Sequence, residues 1–292
     1  MKSSTPSVAS EVAPLSLPAM MGTLPVTTSV ITGTVTFPES AKNILDKFSE
    51  VIMPLSMLRA MIIRSLAPFR WAVRFELERR KNIDSQDIAF ALQREALAET
   101  VEYAKQHLMD VNSVDSYLEL LSFALKQVKD EKGLYLEFGV FSGHTVNHIA
   151  GQIERTVYGF DSFAGLPERW RDGFDAGHFK LKAGTLPKVR PNVELVKGWF
   201  DKTLPEFLNQ HPEKVSFLHV DCDLYSSAKT IFSFLGTRIQ SGTVIVFDEY
   251  FNYFGWKEGE YKAFQEFISR ERLSYHYLCY NRISQQVCVR IS

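Results

Sequence analysis

Two patterns of apolar positions divide the chain. After Ser40, large apolar residues recur at three- and four-residue intervals at Leu45, Phe48, Ile52, Leu55 and Leu58, the repeat of one helix face. Helical spacing continues through LRAMIIRSLAPFRWAVRFELERRK (58–81). Two further helices are expected near 85–109 and 114–129, with Ser85 and Asp87, then Asp115 and Ser116, as candidate caps. From 134 the pattern changes. Short runs rich in Val, Leu, Ile and Phe (LYLEFG, TVYGFD, VELVKG, VSFLHVD and GTVIVFD) alternate with helix-length segments. That alternation predicts an α/β fold, a mostly parallel sheet with helices on both faces. At the end, LSYHYLCY and QQVCVRI are joined by the short turn NRIS and predict an antiparallel hairpin closing the sheet. The organisation expected is a disordered tail over 1–40, a helical region over 41–110 and one α/β domain over 111–292.

The tail rests on composition. Nearly half of residues 1–40 are Ser, Thr or Pro, and only Lys2, Glu11 and Glu39 are charged, too little apolar surface to bury. Within it, VTTSVITGTVTF (26–37) has strand-like residues interrupted by Gly33. The N-terminus has neither the charged-then-apolar order of a secretory signal nor the arginines of a transit peptide. With a net charge of −1 over 292 residues, no overall basic field points to nucleic acid. No apolar run reaches the roughly 20 residues of a membrane span. Cys222, Cys279 and Cys288 are too scattered for a zinc knuckle or a disulfide framework; Cys279 and Cys288 could pair if their strands do. Buried free thiols in a reducing, cytoplasmic compartment are the expectation. Arg59, Arg64, Arg70, Arg74, Arg79 and Arg80 within 58–81 admit two readings. One is a basic amphipathic helix in peripheral contact with an anionic membrane; the favoured one is a helix packed on the domain or on the mate in a homodimer, its arginines solvated.

Ligands of open parallel sheets sit outside the carboxyl ends of the strands, and here those ends carry acids: Glu137, Asp161, Asp221 and the pair Asp248–Glu249. Glu137 opens a loop with Gly139 and Gly143, spaced E-x-G-x-x-x-G. The first glycine permits a sharp turn; the second lets a ligand approach the next helix without a Cβ in the way. A dinucleotide loop prefers G-x-G-x-x-G, whereas here Phe141 stands two before Gly143 and a carboxylate stands at the mouth. A carboxylate repels a pyrophosphate and attracts an ammonium, which favours a zwitterionic sulfonium ligand over NAD. Asp161, about twenty residues on, suits a ribose diol. Phe141, Ser142 and Ser162 lie in the same loops and join the candidate cofactor set, with Trp199 (beside Phe200) flanking a base or simply packing. Asp221 and Asp248, 27 residues apart, fall at the ends of neighbouring strands. With Glu249 they offer three oxygen donors to a hard divalent cation such as Mg²⁺. The alternative is that Asp221 and Asp248 cap helices or pair with Lys229 and Lys257.

Five ordered segments, LEFGVFSGHT, GFDSFAGLPE, VELVKGWFDKTLPEF, HVDCDLYSSAKT and VIVFDEYFNYFGWKE, together resemble the class I S-adenosylmethionine-dependent methyltransferases, and among them the macrocin O-methyltransferase-like (TylF/MycF-type) family. The resemblance covers roughly 110–292. It implies a Rossmann-like seven-stranded sheet ending in an antiparallel hairpin. It also implies that Glu137, Gly139 and Gly143 form the cofactor loop, that Asp161 binds the ribose, and that Asp221, Asp248 and Glu249 hold magnesium. The chain departs from the family at Asp221-Cys222-Asp223, where Asp-Gly-Asp is frequent, and at Asp248-Glu249, where Asp-Asp is frequent.

The implied reaction is O-methyl transfer to a small-molecule acceptor of the natural-product type, a sugar diol or a catechol, chelated by Mg²⁺ so that its hydroxyl is acidified and aligned. Asp221 is then a catalytic residue. His178, in WRDGFDAGHFKLKAG between the second and third strands, is the candidate base, and with Trp170, Phe174 and Phe179 a candidate lid over the acceptor. His219, inside a strand, reads as structural; His144 and His148 are given no catalytic role; Tyr250 and Tyr253 line the acceptor pocket or the core. Two alternatives stay open. An NAD-dependent oxidoreductase is disfavoured by the missing G-x-G-x-x-G and by the hairpin. A non-catalytic protein acting through its basic helices is disfavoured by acids kept at three strand ends, since an empty acid cluster is destabilising.

Overall fold

The computed structural model describes residues 55–182 and 184–292. The tail expected over 1–40, the strand-like run 26–37 and the helical spacing at Leu45, Phe48 and Ile52 lie outside the described residues. The chain divides into two compact units, Met1–Val73 and Arg74–Ser292. In the first, helix α1 covers Leu55–Ser65; α2, Ala67–Gln86, begins there and ends in the second. Pro68 sits in the first turn of α2, where its missing N–H leaves no intrahelical bond unmade. Met61, Ile62, Ile63, Leu66 and Phe69 are exposed, and α2 buries none of its residues. Among the described residues, no helix is long and apolar enough to cross a membrane.

In the second unit, α3 spans Ile88–His107, and Asp87 caps it by accepting the Phe90 N–H at 3.1 Å. Ser85 does not cap; its hydroxyl bonds the Asn82 carbonyl inside α2. Helix α4, Tyr117–Lys126, starts after Ser116, whose side chain makes no capping bond, while Asp115 is held by Arg282 from across the sheet.

The strands are β1 (Asn112–Val114), β2 (Leu134–Phe138), β3 (Val157–Asp161), β4 (Val193–Lys197), β5 (Val215–Val220), β6 (Val244–Phe247), β7 (Tyr275–Asn281) and β8 (Val287–Ile291). Their order is β1-β7-β8-β6-β5-β2-β3-β4. Strands β2 to β6 run parallel, and β8 pairs antiparallel with both β6 and β7. The five parallel strands and the closing hairpin are those expected. The sheet gains an eighth strand, β1, parallel to β7 at the edge; three residues are too few to show a period in sequence. The crossover helices are α5 (His144–Ala150), α6 (Phe200–Gln210), α7 (Tyr225–Leu235) and α8 (Glu260–Glu271).

Alternation sorts the core into two layers. Leu136, Phe138, Leu218, Val220, Ile245 and Phe247 pack with α6, α7 and α8. Tyr135, Phe217, Val244 and Val246 face the other way, against α4 and α5. Cys279 and Cys288 are register partners across the hairpin on that second side, and both are buried free thiols.

Candidate functional site

The same alternation sets the site. Glu137 points to the side of Tyr135, and His219 and Asp221 to the side of Phe217. Asp248 points to the side of Val246, so these four side chains share the α4/α5 face. Register places Glu137 beside His219, and His219 beside Val246. One ring nitrogen of His219 and one carboxylate oxygen from each of Asp221 and Asp248 lie within 4.8 Å of one another. Glu249, expected as a third metal ligand, lines the cavity but stands outside this group, and its buried Oε2 has no hydrogen-bond partner. His219 is the group's third member. Its Nδ1 is 3.0 Å from Glu137 Oε2, and its buried Nε2 has no partner.

Among the described residues, no lysine pairs with these acids. Lys229 pairs with Glu266 and Lys257 with Glu99. Burial, then the charge of Asp248, pushes the Asp221 carboxyl well above the usual carboxylate range. Asp223 is pushed up to about 7 by burial and Asp248, with Arg171 opposing. From the first turn of α8, the fully buried Glu260 ties the two strand ends together. Its Oε1 accepts the Cys222 N–H at 3.2 Å and its Oε2 the Glu249 N–H at 3.3 Å. Tyr117, at the start of α4, is raised by burial and then by Asp248 and Asp221.

A cavity of about 690 Å³ opens over this cluster, within the size range of small-molecule sites. Gly139, Phe141, Ser142, Asp161, Ser162 and Trp199 line it, together with Asp221 and Asp248. Gly139 has φ +98°, and a Cβ there would stand 1.6 Å from the Asp221 carbonyl oxygen, so only glycine lets the loop cross the end of β5. Phe141 and Asp223, both on the cavity wall, also hold positive φ, strain of the kind that collects at binding sites. Asp161 clamps the loop: Oδ2 accepts the N–H groups of Val140 (2.9 Å) and Phe141 (2.8 Å), and Oδ1 that of Phe163 (2.6 Å).

Several expectations are revised. Glu137 is not at the loop's mouth. It is fully buried, does not line the cavity, accepts the Thr145 hydroxyl at 3.0 Å and braces His219. Gly143 does not line the cavity; its φ of +83° and the nearby Pro187 side chain explain the glycine instead. Trp170, Phe174 and Phe179 do line the cavity, joined by Arg171, whose guanidinium lies 3.7 Å over the Trp170 ring. His178 does not. It is exposed, packs on Phe174 and Phe179, and faces no acceptor space, which removes it as the base. Tyr250 and Tyr253 are core residues; the Tyr250 hydroxyl joins a buried set with Tyr277 and Tyr103. His148 bonds Ser122 and Leu118 away from the cavity, but His144, given no role, lines it, as do Tyr117 and Asp223. The signal that could have found His219 is its i−2 spacing from Asp221.

Residues 136–250 match the methyltransferase domain family. No curated protein sequence matches the chain. CalS11, a calicheamicin methyltransferase, is 22% identical over 59% of this chain and 77% of its own, with a TM-score of 0.50. The O-methyltransferase NovP is 22% identical over 59% of this chain and 78% of its own, at 0.46. An O-methyltransferase from Bacillus cereus, in complex with SAH, is 14% identical over 72% and 96%, at 0.40. The fold is that of a Rossmann-like methyltransferase.

Proposed function

We propose that the chain is an S-adenosylmethionine-dependent O-methyltransferase of the macrocin O-methyltransferase-like kind. Its acceptor is a hydroxyl of a small molecule, a sugar diol or a catechol, and a divalent cation assists. The observation that carries the reading is a single cavity lined both by a glycine-turn loop clamped by Asp161 and by the converging carboxylates of Asp221 and Asp248.

The donor set fits both absent groups. The cofactor would rest on Gly139, Phe141, Ser142, Ser162 and Trp199, with Asp161 keeping a lone pair on Oδ1 for a hydroxyl. A cation would rest on Asp221 and Asp248, whose mutual repulsion has no other neutralising partner among the described residues. Bound there, the cofactor supplies a methyl group activated by a positive sulfur. The cation supplies a Lewis acid for an acceptor hydroxyl.

The chain's own part is positioning and proton transfer. Trp170, Phe174 and Phe179 enclose the acceptor end and keep water out, and Arg171 keeps the lid rings stacked. Asp223 is the base we favour in place of His178. It lies on the cavity wall, and a carboxyl held near neutrality is suited to accept a hydroxyl proton at working pH.

Calorimetry with S-adenosylhomocysteine and NADH tests the cofactor. Binding of the first and none of the second is expected; tight NADH binding with no S-adenosylhomocysteine binding reverses the assignment. Methyl transfer to a panel of vicinal diols and catechols, with EDTA and after cation restoration, tests the rest. Undiminished transfer in EDTA removes the cation from the reaction.

A further inference from the structure

His219 has two nitrogens and one partner. Nδ1 is 3.0 Å from Glu137 Oε2, so the N–H sits on Nδ1 and the lone pair on Nε2. That Nε2 is buried in a residue only 1% exposed and bonds to nothing. An unpaired buried acceptor is costly to keep. The ring stays in this pose because Glu137, itself fully buried and bonded to Thr145, holds it there. A carboxyl bracing one imidazole nitrogen, in a ring that brings a nitrogen within 4.8 Å of two converging carboxylates, is the arrangement that orients histidines toward metals.

We propose that His219 is a direct nitrogen ligand of the cation site, through Nε2, with Asp221 and Asp248. The site thereby selects a first-row transition divalent ion such as Mn²⁺ or Fe²⁺ over Mg²⁺. The inference rests on the methyltransferase reading only in placing the cation beside the acceptor; the ligand set itself rests on His219, Asp221 and Asp248. Three donors within 4.8 Å of one another leave a point within about 2.8 Å of all of them, a movement below 1 Å from the roughly 2.1 Å of a metal–imidazole bond. Mg²⁺ dehydrates reluctantly and prefers an all-oxygen octahedron, whereas imidazole suits later divalent ions. Glu249 stands outside the group of three, and its N–H is held by Glu260 at 3.3 Å. Positions opposite the protein ligands open into the cavity, where two acceptor oxygens could complete the shell. Glu137 is then a positioning residue, acting on the cation only through His219.

The experiment uses the full chain, stripped with chelator and titrated with Mn²⁺ alone. Loss of the free-ion EPR signal should give one tight site per chain, and pulsed EPR of the bound ion should show nitrogen hyperfine coupling. Mg²⁺ at equal concentration should displace little of it. His219→Gln should abolish the coupling and weaken Mn²⁺ binding at least tenfold. Glu137→Gln should weaken it about ten- to a hundredfold while retaining the coupling. Mn²⁺ bound without nitrogen coupling, or displaced by equimolar Mg²⁺, overturns the proposal. The coupling is read on the unmutated protein, so a variant that fails to fold does not block the test. S-adenosylhomocysteine binding, measured on the same samples, separates the two claims. Cofactor binding without nitrogen coupling overturns this ligand set and leaves the proposed reaction standing. Nitrogen coupling without cofactor binding supports the ligand set and removes the reaction.

Discussion

Raising the pH of the cation-free protein from 6.5 to 8 will destabilise it, and a divalent cation will blunt the loss. Glu260 is fully buried and pushed up to about 8, by burial first, with the N–H groups of Cys222 and Glu249 holding it back. Asp223 is pushed up to about 7, again by burial first and then by Asp248. In the unfolded chain both titrate near 4. The native state therefore keeps protons that the unfolded state has already released. Their stabilisation is complete below about pH 4 and is lost as pH climbs through 7 and 8. At about 1.4 kcal/mol per pKa unit, these two groups account for about 3 kcal/mol between pH 6.5 and 8. For a unit of this size that lowers the melting temperature by on the order of 8 °C. The window avoids competing titrations. Asp115 and Glu266, lowered by Arg282 and Tyr225, finish titrating at acid pH, and His148, lowered by burial, acts in the opposite direction only below about 6.5. The assay is calorimetric unfolding of chelator-treated protein at both pH values, repeated with saturating Mn²⁺ and with Glu260→Gln. The cation should remove part of the drop, because it neutralises the carboxylate charge that adds to burial in raising Asp223 and Glu260. The Gln variant should flatten the slope, since an amide does not ionise. Stability that is level or rising across this window without cation would refute the account of an unneutralised acid cluster.

Three further outcomes follow from single contacts. Gly139→Ala puts a Cβ 1.6 Å from the Asp221 carbonyl oxygen at φ +98°; a loss of more than about 3 kcal/mol is expected in urea unfolding, since the left-handed backbone alone costs 1–2, and a variant of parental stability contradicts the loop geometry. Asp248→Asn should cut kcat/KM about a hundredfold and abolish the cation dependence of the melting temperature; transfer kinetics and calorimetry check the two halves separately. Trp170→Ala opens the lid and should raise the acceptor KM about tenfold while leaving S-adenosylhomocysteine affinity unchanged; a shift in the latter instead would move Trp170 to the cofactor end.

The five parallel strands could be read from sequence because each is a short, nearly unbroken apolar run, the mark of a strand covered on both faces. The acids could be read for the same reason: a charge that ends such a run falls at the sheet's rim. What could not be read was which face each acid takes and what it meets there. Glu137 looked like the mouth of a loop, but the pairing of β2 with β5 sets it against His219, 82 residues away, and no local pattern carries a register. Gly143 answers to Pro187, 44 residues downstream, and β1 is too short to announce itself. Tyr250 and Tyr253 follow a strand as readily into the core as into a pocket, and here the tyrosine hydroxyls satisfy one another inside. The side of His219, by contrast, was legible: inside a strand and two before Asp221, it had to share that side.

The unsatisfied groups lie at the same strand ends. His219 Nε2 and Glu249 Oε2 are both buried without partners, and each costs on the order of 1–3 kcal/mol. A sequence selected for stability alone would place a lysine beside Asp221 and an apolar residue at 219, as the rest of these strands shows it can. Lys229 and Lys257 are close in sequence and are instead paired elsewhere. Glu260, meanwhile, uses both carboxyl oxygens to hold the two loops that carry the acids together, opposing the repulsion that would drive them apart. A buried carboxyl that keeps other carboxyls close, with no lysine paired to Asp221 or Asp248 among the described residues, is what the proposed cation site would need.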